Sequence, residues 1–498
     1  MKPPRILVFI LSVLFLLLVI SFLFPEEGIH LGRNHRLHFL TINELLTGDT
    51  VQYADISGII SQSTVIEDTL LFTDPVEAYM NGEPADTIRA IEDSLKVRVH
   101  RIEYPEGDST VLYPVFRQLL QLESGSNKLI RIAHYGDSQI EGDRMTSYIR
   151  NRLQKRFGGS GVGMMPAVDL YGYQASFRHT ASDNWLRYTA FGNVDTTLTH
   201  NCYGMMASFA RFVPYATDSL LPDTTTHEAW INLTSSDRTY TLNRQFSQCR
   251  LFYGYSEQPV MVECMVDGTL FDADILTTTS QLNIKRWTFS EAPREIILKF
   301  RGSASPDFYG IALDGNRGVA VDNIAMRGCA GLVFTAINRD LLERMIDTLN
   351  VRMLILQFGG NVVPYMTDNY DYYGRWFLGQ LRRLKQISPD MPIIVIGVSD
   401  MSIKEKDRFI TYPNLLQIRD AMKDATLKAG CAYWDMYEAM GGYNSMPSWV
   451  NAQPALATSD FVHFNERGAR VIAEMFYNAF IYELEKYAGV RAEKVTIP

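Results

Sequence analysis

Several short segments of this 498-residue chain place reactive or hydrogen-bonding side chains beside sharp turns. One is Gly136-Asp137-Ser138-Gln139, which follows the apolar run Leu129-Ile130-Arg131-Ile132-Ala133 and precedes an amphipathic segment from Met145 to Phe157. A serine at the carboxyl end of a buried strand is held at the edge where open α/β sheets bind their ligands. The same letters recur at Gly107-Asp108-Ser109, but in a polar stretch between Pro105 and Thr110 with no strand pattern before it, so context singles out Ser138 as the nucleophile. Far downstream stands Asp460-Phe461-Val462-His463, immediately ahead of a helical segment. A neutral imidazole can take a proton from a serine hydroxyl, and a carboxylate on its other ring nitrogen fixes tautomer and orientation. The spacing of Asp460 and His463 lets both side chains meet within one turn. Of nine histidines, His463 alone combines an aspartate just upstream with a loop position at a helix start. His134 is the alternative, but the strand before the serine turn carries it into the sheet. Gln357-Phe358-Gly359-Gly360-Asn361 follows a further apolar run, where the Asn361 amide could donate to a developing oxyanion. Asp322-Asn323-Ile324-Ala325-Met326-Arg327-Gly328 follows another, and no side chain blocks approach to the Gly328 N–H. Together these segments describe nucleophilic attack on a carbonyl carbon. Ser138 is then expected to attack, His463 to move the proton and Asp460 to orient it, with the Gly328 N–H and the Asn361 amide as candidate oxyanion donors.

Those side chains need a scaffold that brings distant strand ends to one edge. After Val319, strand candidates at Val319–Val321, Val351–Leu356, Ile393–Val398 and Ala432–Trp434 alternate with helical patterns at Leu332–Leu349, Tyr370–Ile387, Leu415–Ala429 and Glu466–Tyr487. Strand–helix–strand repetition demands parallel pairing with helices on both faces of the sheet. The segment from Leu129 to Phe157 reads as the first unit of the same sheet.

Between Ala167 and Arg317 helical periodicity fades. Short β-branched and aromatic runs replace it, among them Trp230–Leu233, Arg250–Tyr253, Val260–Val266 and Glu295–Phe300, with turn signals such as Asp267-Gly268 between them. Such spacing predicts a β-sandwich inserted into the α/β domain. The glycine-rich stretch Gly158–Gly163 ahead of it reads as tight turns, since it lacks the Lys-Ser/Thr ending of a phosphate loop. Residues 26–125 are mixed and polar, with helices expected at Asp86–Val97 and Tyr113–Leu122, and read as an extracytoplasmic stem.

The four blocks resemble the SGNH (GDSL-type) hydrolase superfamily, whose signatures centre on Ser, Gly, Asn and His. The matching positions are Ser138 in Gly-Asp-Ser, Gly328, Asn361 in Gly-x-Asn and His463 in Asp-x-x-His. Two departures stand out: Val362 where many members carry an acidic residue, and Gln139 in place of the leucine of the family name. The resemblance implies a three-layer, flavodoxin-like parallel sheet and a serine acylhydrolase acting through an acyl-enzyme without a cofactor or metal. A β-rich insertion between the serine and glycine blocks is similar to the arrangement in peptidoglycan O-acetylesterases that carry a carbohydrate-binding-like sandwich there. That similarity implies an O-acetyl esterase of an envelope polysaccharide. An O-acetyltransferase using the same serine, served by an acyl-transfer partner protein of the envelope, is the alternative. A catalytically dead carbohydrate-binding scaffold is a distant third. Tyr171, Tyr173, Trp185, Trp230 and Trp287 in the insert could stack on sugars, although core packing is the commoner use of such residues.

The resulting domain plan is a membrane segment (1–25), the stem (26–125), the hydrolase in two parts (126–166 and 318–498) and the sandwich (167–317) between them. A formal charge of −9 with no basic cluster argues against a nucleic-acid partner. From Ile6 to Phe24 the chain carries no charge, with Lys2 and Arg5 before the run and Glu26 and Glu27 after it. This length suits a spanning helix of ~20 residues better than the ~7–15-residue core of a cleaved signal, and no small-x-small site ends it. The basic end then stays cytoplasmic and the remainder faces the periplasm or cell exterior. Five cysteines, Cys202, Cys249, Cys264, Cys329 and Cys431, show no metal-site spacing, and buried free thiols are expected over a disulfide among the first three.

Overall fold

A computed structural model describes residues 3–24, 29–30, 36–37, 51–63, 100–169, 171–172, 174–215, 225–237 and 239–496. The helix expected at Asp86–Val97 lies outside them. Helix α1 (Pro3–Leu23) contains a stretch, Pro4–Leu23, with a mean hydropathy of 3.3, long and apolar enough to cross a membrane. Beyond it, Ile29–His30 pairs antiparallel with Arg36–Leu37. Residues from Ala54 onward form one compact unit of their own.

The centre of that unit is a six-stranded sheet of β1 (Ile102–Glu103), β2 (Leu129–Gly136), β3 (Gly318–Ala325), β4 (Val351–Gln357), β5 (Ile393–Ile396) and β6 (Ala432–Trp434). Its spatial order is β3-β2-β4-β5-β6-β1. Five strands are parallel and β1 joins the β6 edge antiparallel, which makes the sheet mixed, a correction to the all-parallel expectation. A two-residue edge strand arriving from the N-terminal side needs no crossover helix, so nothing forces it parallel. Counted along the chain, the five parallel strands run 2-1-3-4-5, and β2 and β4 flank the point where the winding reverses.

The buried strand β2 alternates strictly. Ile130 and Ile132 enter one core with helices α2 (Tyr113–Glu123), α3 (Thr146–Phe157) and α7 (Glu466–Thr496). Ala133 and Tyr135 enter the other, with α4 (Arg339–Leu349), α5 (Asp371–Ile387) and α6 (Leu415–Lys428). Helix α4 starts later than the apolar pattern suggests. Asn338 caps it by accepting the Leu341 N–H at 3.0 Å, and residues before the cap turn instead of coiling.

Between α3 and β3 the chain builds two antiparallel sheets. One is ordered Asn283–Thr288, Gln248–Gly254, Asp307–Asp314, Ser208–Arg211, Leu186–Thr189, with Gly163–Met165 also paired to Asp307–Asp314. The other is ordered Thr269–Leu276, Val260–Val266, Glu295–Gly302, His227–Ser235, Phe177–Ala181. Their facing sides share a third core in which Leu251, Phe308 and Ile311 meet Val262, Ile296, Leu298 and Phe300.

These sheets do not stand apart as a separate body. Phe209, Phe252 and Tyr309 lie in the same core as Tyr135 and Leu354 of the central sheet. Buried ion pairs reinforce the join: Arg131 on β2 bonds Asp322 on β3 and, at 2.6 Å, Asp314, which Arg250 also reaches at 2.6 Å. Gly161 lets the linking loop pass close by, because a Cβ there would lie 2.1 Å from the Leu313 carbonyl oxygen. Ahead of residue 125, β1 and α2 pack into the central sheet and its core. All five cysteines are free and buried.

Candidate active site

Gly136, Ala325 and Gln357 are paired in register, so β2, β3 and β4 end on one line. The chain leaves each strand there into the turns that carry Ser138, Gly328 and Asn361. The Asp137 N–H donates to the Gln357 carbonyl at 3.1 Å and the Met326 N–H to the Gly136 carbonyl at 2.8 Å, which locks the three turns together. Helices α3 and α5 then depart to opposite faces of the sheet.

Ser138 Oγ lies 2.8 Å from His463 Nε2, and His463 Nδ1 lies 2.7 Å from Asp460 Oδ2. A carboxylate only accepts, so Nδ1 carries the proton and Nε2 is free to accept from the serine hydroxyl. The other Asp460 oxygen accepts the Val462 and His463 N–H groups at 2.9 and 3.0 Å and the Thr458 hydroxyl at 2.6 Å. Burial raises the Asp460 pKa, but the bonds from Thr458, His463 and Val462 outweigh it and hold the carboxyl at about 2. It is therefore an anion at any neutral pH.

His134 is fully buried, bonded to Gln357 and Thr146 at 3.2 and 3.0 Å, and burial pulls its pKa down to about 3 despite the Gln357 contact. It is a neutral core residue away from the serine. Ser109 sits in an exposed turn beside Asp108, whose carboxylate caps Thr110.

Gly328 is exposed with φ of +78°, a conformation that side chains disfavour. The residue before it is clamped: the Arg327 N–H donates to the Tyr171 hydroxyl at 2.8 Å, and the Arg327 guanidinium pairs with Glu141. Among the described residues, the N–H groups of Ser138 and Gly328 donate to no other backbone group. The Asn361 amide donates to the Cys329 carbonyl at 3.1 Å and to Asp137 Oδ2 at 3.3 Å, which places it beside both turns. Asp137 is buried, and burial pushes its carboxyl up to about 6 against the Gln139 N–H and the nearby His463 and Arg144.

Residues 299–471 match the GDSL-like Lipase/Acylhydrolase family. That stretch of the chain is similar to a GDSL-like acylhydrolase domain. The matched stretch contains Gly328, Asn361, Asp460 and His463, while Ser138 precedes it across the antiparallel sheets. Among solved structures, a peptidoglycan O-acetylesterase superposes with a TM-score of 0.58 at 20% identity, over 75% of this chain and 96% of its own. An acetyl xylan esterase matches 32% of this chain and 81% of its own at 14% identity and a TM-score of 0.27. An α/β hydrolase from the metagenome of Lake Arreo, Spain, matches 33% and 74% at 20% identity and a TM-score of 0.25. No curated protein matches the chain in sequence.

Two side chains that build this GDSL-like site escaped sequence reasoning. Gln139, buried next to the serine, donates to the Val462 carbonyl at 2.8 Å and accepts the Phe464 N–H at 3.4 Å, so its carboxamide spans His463. Arg144 donates to the Ser138 carbonyl and, at 2.9 Å, to the Phe464 carbonyl, tying the serine turn to the histidine loop. The only sequence signal for either was the unusual glutamine at 139. Of the aromatic residues, Trp287 is buried and Trp185 packs on Phe212, Phe300 and Phe308, whereas Trp230 is 40% exposed; Tyr173 lies outside the described residues. Among the described residues, no group of three or more His, Cys, Asp or Glu is placed to hold a metal ion.

Proposed function

We propose that the protein is a serine esterase that removes O-acetyl groups from a cell-envelope polysaccharide such as peptidoglycan. The observation that carries this reading is the Ser138–His463–Asp460 chain of hydrogen bonds at a strand edge that also holds Gly328 and Asn361. Ser138 Oγ attacks the ester carbonyl carbon while His463 Nε2 takes its proton. The oxyanion is received by the Ser138 and Gly328 N–H groups and by the Asn361 amide, which turns from Asp137 toward it. The imidazolium, stabilised by anionic Asp460, returns the proton to the departing sugar oxygen, which leaves an acetyl-Ser138 ester. Water then attacks that ester with His463 again as base, releasing acetate. The substrate class is supported by the fold shared with a peptidoglycan O-acetylesterase, and by helix α1, which we read as an anchor holding the site outside the cytoplasm beside the envelope.

The full chain in detergent should release acetate from O-acetylated peptidoglycan. Ser138→Ala should lose that release and its labelling by an organophosphonate, while Ser109→Ala should keep both. Acetate release that survives Ser138→Ala would overturn the reading. Acetyl transfer to added glycan exceeding hydrolysis would recast the same serine as that of a transferase.

A further inference from the structure

The loop between the candidate acid–base residues contains a backbone conformation that its sequence does not favour. Phe461, between Asp460 and His463, has φ of +58°. Such angles belong to glycine and, less often, asparagine or aspartate; for a bulky side chain they mark an outlier that surrounding structure must hold. The turn itself supplies part of the hold, since the Phe461 N–H donates to the Thr458 carbonyl at 3.1 Å.

The rest comes from another element. A hairpin pairs Ser402–Glu405 with Arg408–Thr411. Its Ser402 N–H donates to the Phe461 carbonyl at 3.0 Å, and the Phe409 ring lies flat on the Phe461 ring, centroids 3.6 Å apart and planes 6° from parallel. The hairpin is rooted in buried polar groups: Thr411 donates its hydroxyl to Asp400 at 2.8 Å and its N–H to Asn444 Oδ1 at 2.9 Å, and the Tyr412 N–H donates to the Met401 carbonyl at 3.0 Å. The rooted hairpin and its flat ring thus bear on the positive-φ residue between Asp460 and His463.

We infer that the 402–411 hairpin is a positioning arm for the proton-transfer residues, with Phe409 acting as a positioning residue through Phe461. This rests on the proposed esterase mechanism, and it assigns no substrate contact to the hairpin. Without the stack, Phe461 relaxes toward negative φ. His463 Nε2 then leaves the line to Ser138, a displacement of the kind that costs roughly 10- to 100-fold in turnover.

The test uses the full chain. Phe409→Ala should lower kcat on a small acetyl ester by roughly 10- to 100-fold with KM within about twofold. Phe409→Tyr, which keeps the flat ring, should restore turnover to within about twofold of the parent. Phe461→Gly adopts the same φ without a partner ring, so in that background Phe409→Ala should change kcat by no more than about twofold. The low-field proton resonance of His463 Nδ1–H reports the Asp460 hydrogen bond whatever the substrate, and should weaken or shift in Phe409→Ala and recover in Phe409→Tyr. A parent that cleaves no ester would refute the esterase reading alone, because the resonance still tests the arm. An unchanged resonance in Phe409→Ala, or an equal loss of kcat with and without Phe461→Gly, would overturn the inference. If Phe409→Ala fails to fold, Phe409→Leu takes its place, with the same outcomes decisive.

Discussion

Replacing Gln139 by leucine tests how the histidine loop is held. Gln139 is 6% exposed, and its carboxamide donates to the Val462 carbonyl at 2.8 Å and accepts the Phe464 N–H at 3.4 Å. Leucine fills the same space and can do neither. Phe464 is fully buried, so its N–H has no water to turn to; Val462 is only partly buried, so its carbonyl is taken to recover part of its hydration. An unsatisfied buried group costs about 1–3 kcal/mol, which puts the pair at about 2–4 kcal/mol. The added apolar burial of leucine returns about 1 kcal/mol. Gln139→Leu should therefore lose about 1–3 kcal/mol of stability. Because the broken bonds flank His463, kcat should fall by roughly 10- to 100-fold. Gln139→Glu keeps the acceptor for Phe464 but not the donor for Val462, and should lie between leucine and the parent. Urea unfolding followed by tryptophan fluorescence, and kcat on a small acetyl ester, measure both effects. A leucine variant with an unchanged urea midpoint and turnover within twofold of the parent would refute the bracket.

Asn361→Ala should leave folding intact and lower kcat by roughly 10²- to 10³-fold, the loss expected of one side-chain oxyanion donor; near-normal turnover would remove it from that role. Arg131→Met strips Asp322 of its guanidinium partner and leaves Asp314 with Arg250 alone in the interior, so a loss of about 3–5 kcal/mol is expected in chemical unfolding. A loss below about 1 kcal/mol would show that the ion pairs do not hold the antiparallel sheets to the central one. Burial pushes the Asp400 carboxyl up to about 6, against hydrogen bonds from Met446, Thr411 and Ser445. The folded chain therefore holds this proton more tightly than the unfolded one, and stability falls as pH rises from about 4 to about 6. At ~1.4 kcal/mol for each tenfold change in proton affinity, that slope amounts to about 3 kcal/mol. Asp137 is raised to about 6 as well and contributes over the same window, so Asp400→Asn should reduce the slope by about half without abolishing it, and an unaltered slope would show that Asp400 does not titrate there.

Features decided by near neighbours were open to reading from the sequence. The apolar run Leu129–Ala133 that opens a buried strand and the 3.6-residue spacing of Leu341, Leu342, Met345, Ile346 and Leu349 are local patterns of this kind. The pairing of Asp460 with His463 spans three positions, so one turn suffices to form it. Strand context likewise separated Ser138 from Ser109. Where a cap intervenes, as at Asn338, the apolar pattern overran the helix, because hydrophobic periodicity does not register a side chain that satisfies backbone N–H groups.

Contacts between distant segments belong to the tertiary structure. Ser138 and His463 are 325 positions apart, and only the 2-1-3-4-5 winding, with β2, β3 and β4 ending in register, carries both to one edge. The antiparallel β1 and the core shared by the antiparallel sheets with Tyr135 depend on which surfaces remain uncovered once the helices have packed. Gln139 and Arg144 bond groups more than 300 residues away, and Phe409 on its hairpin stacks on a ring in the Asp460–His463 loop, so their neighbours in sequence say nothing of their partners. Local periodicity is set by the backbone and adjacent side chains, and it determines the elements. Their register and their mutual contacts are set by burying apolar area while pairing most of the buried polar groups, a condition that exists only in the assembled fold.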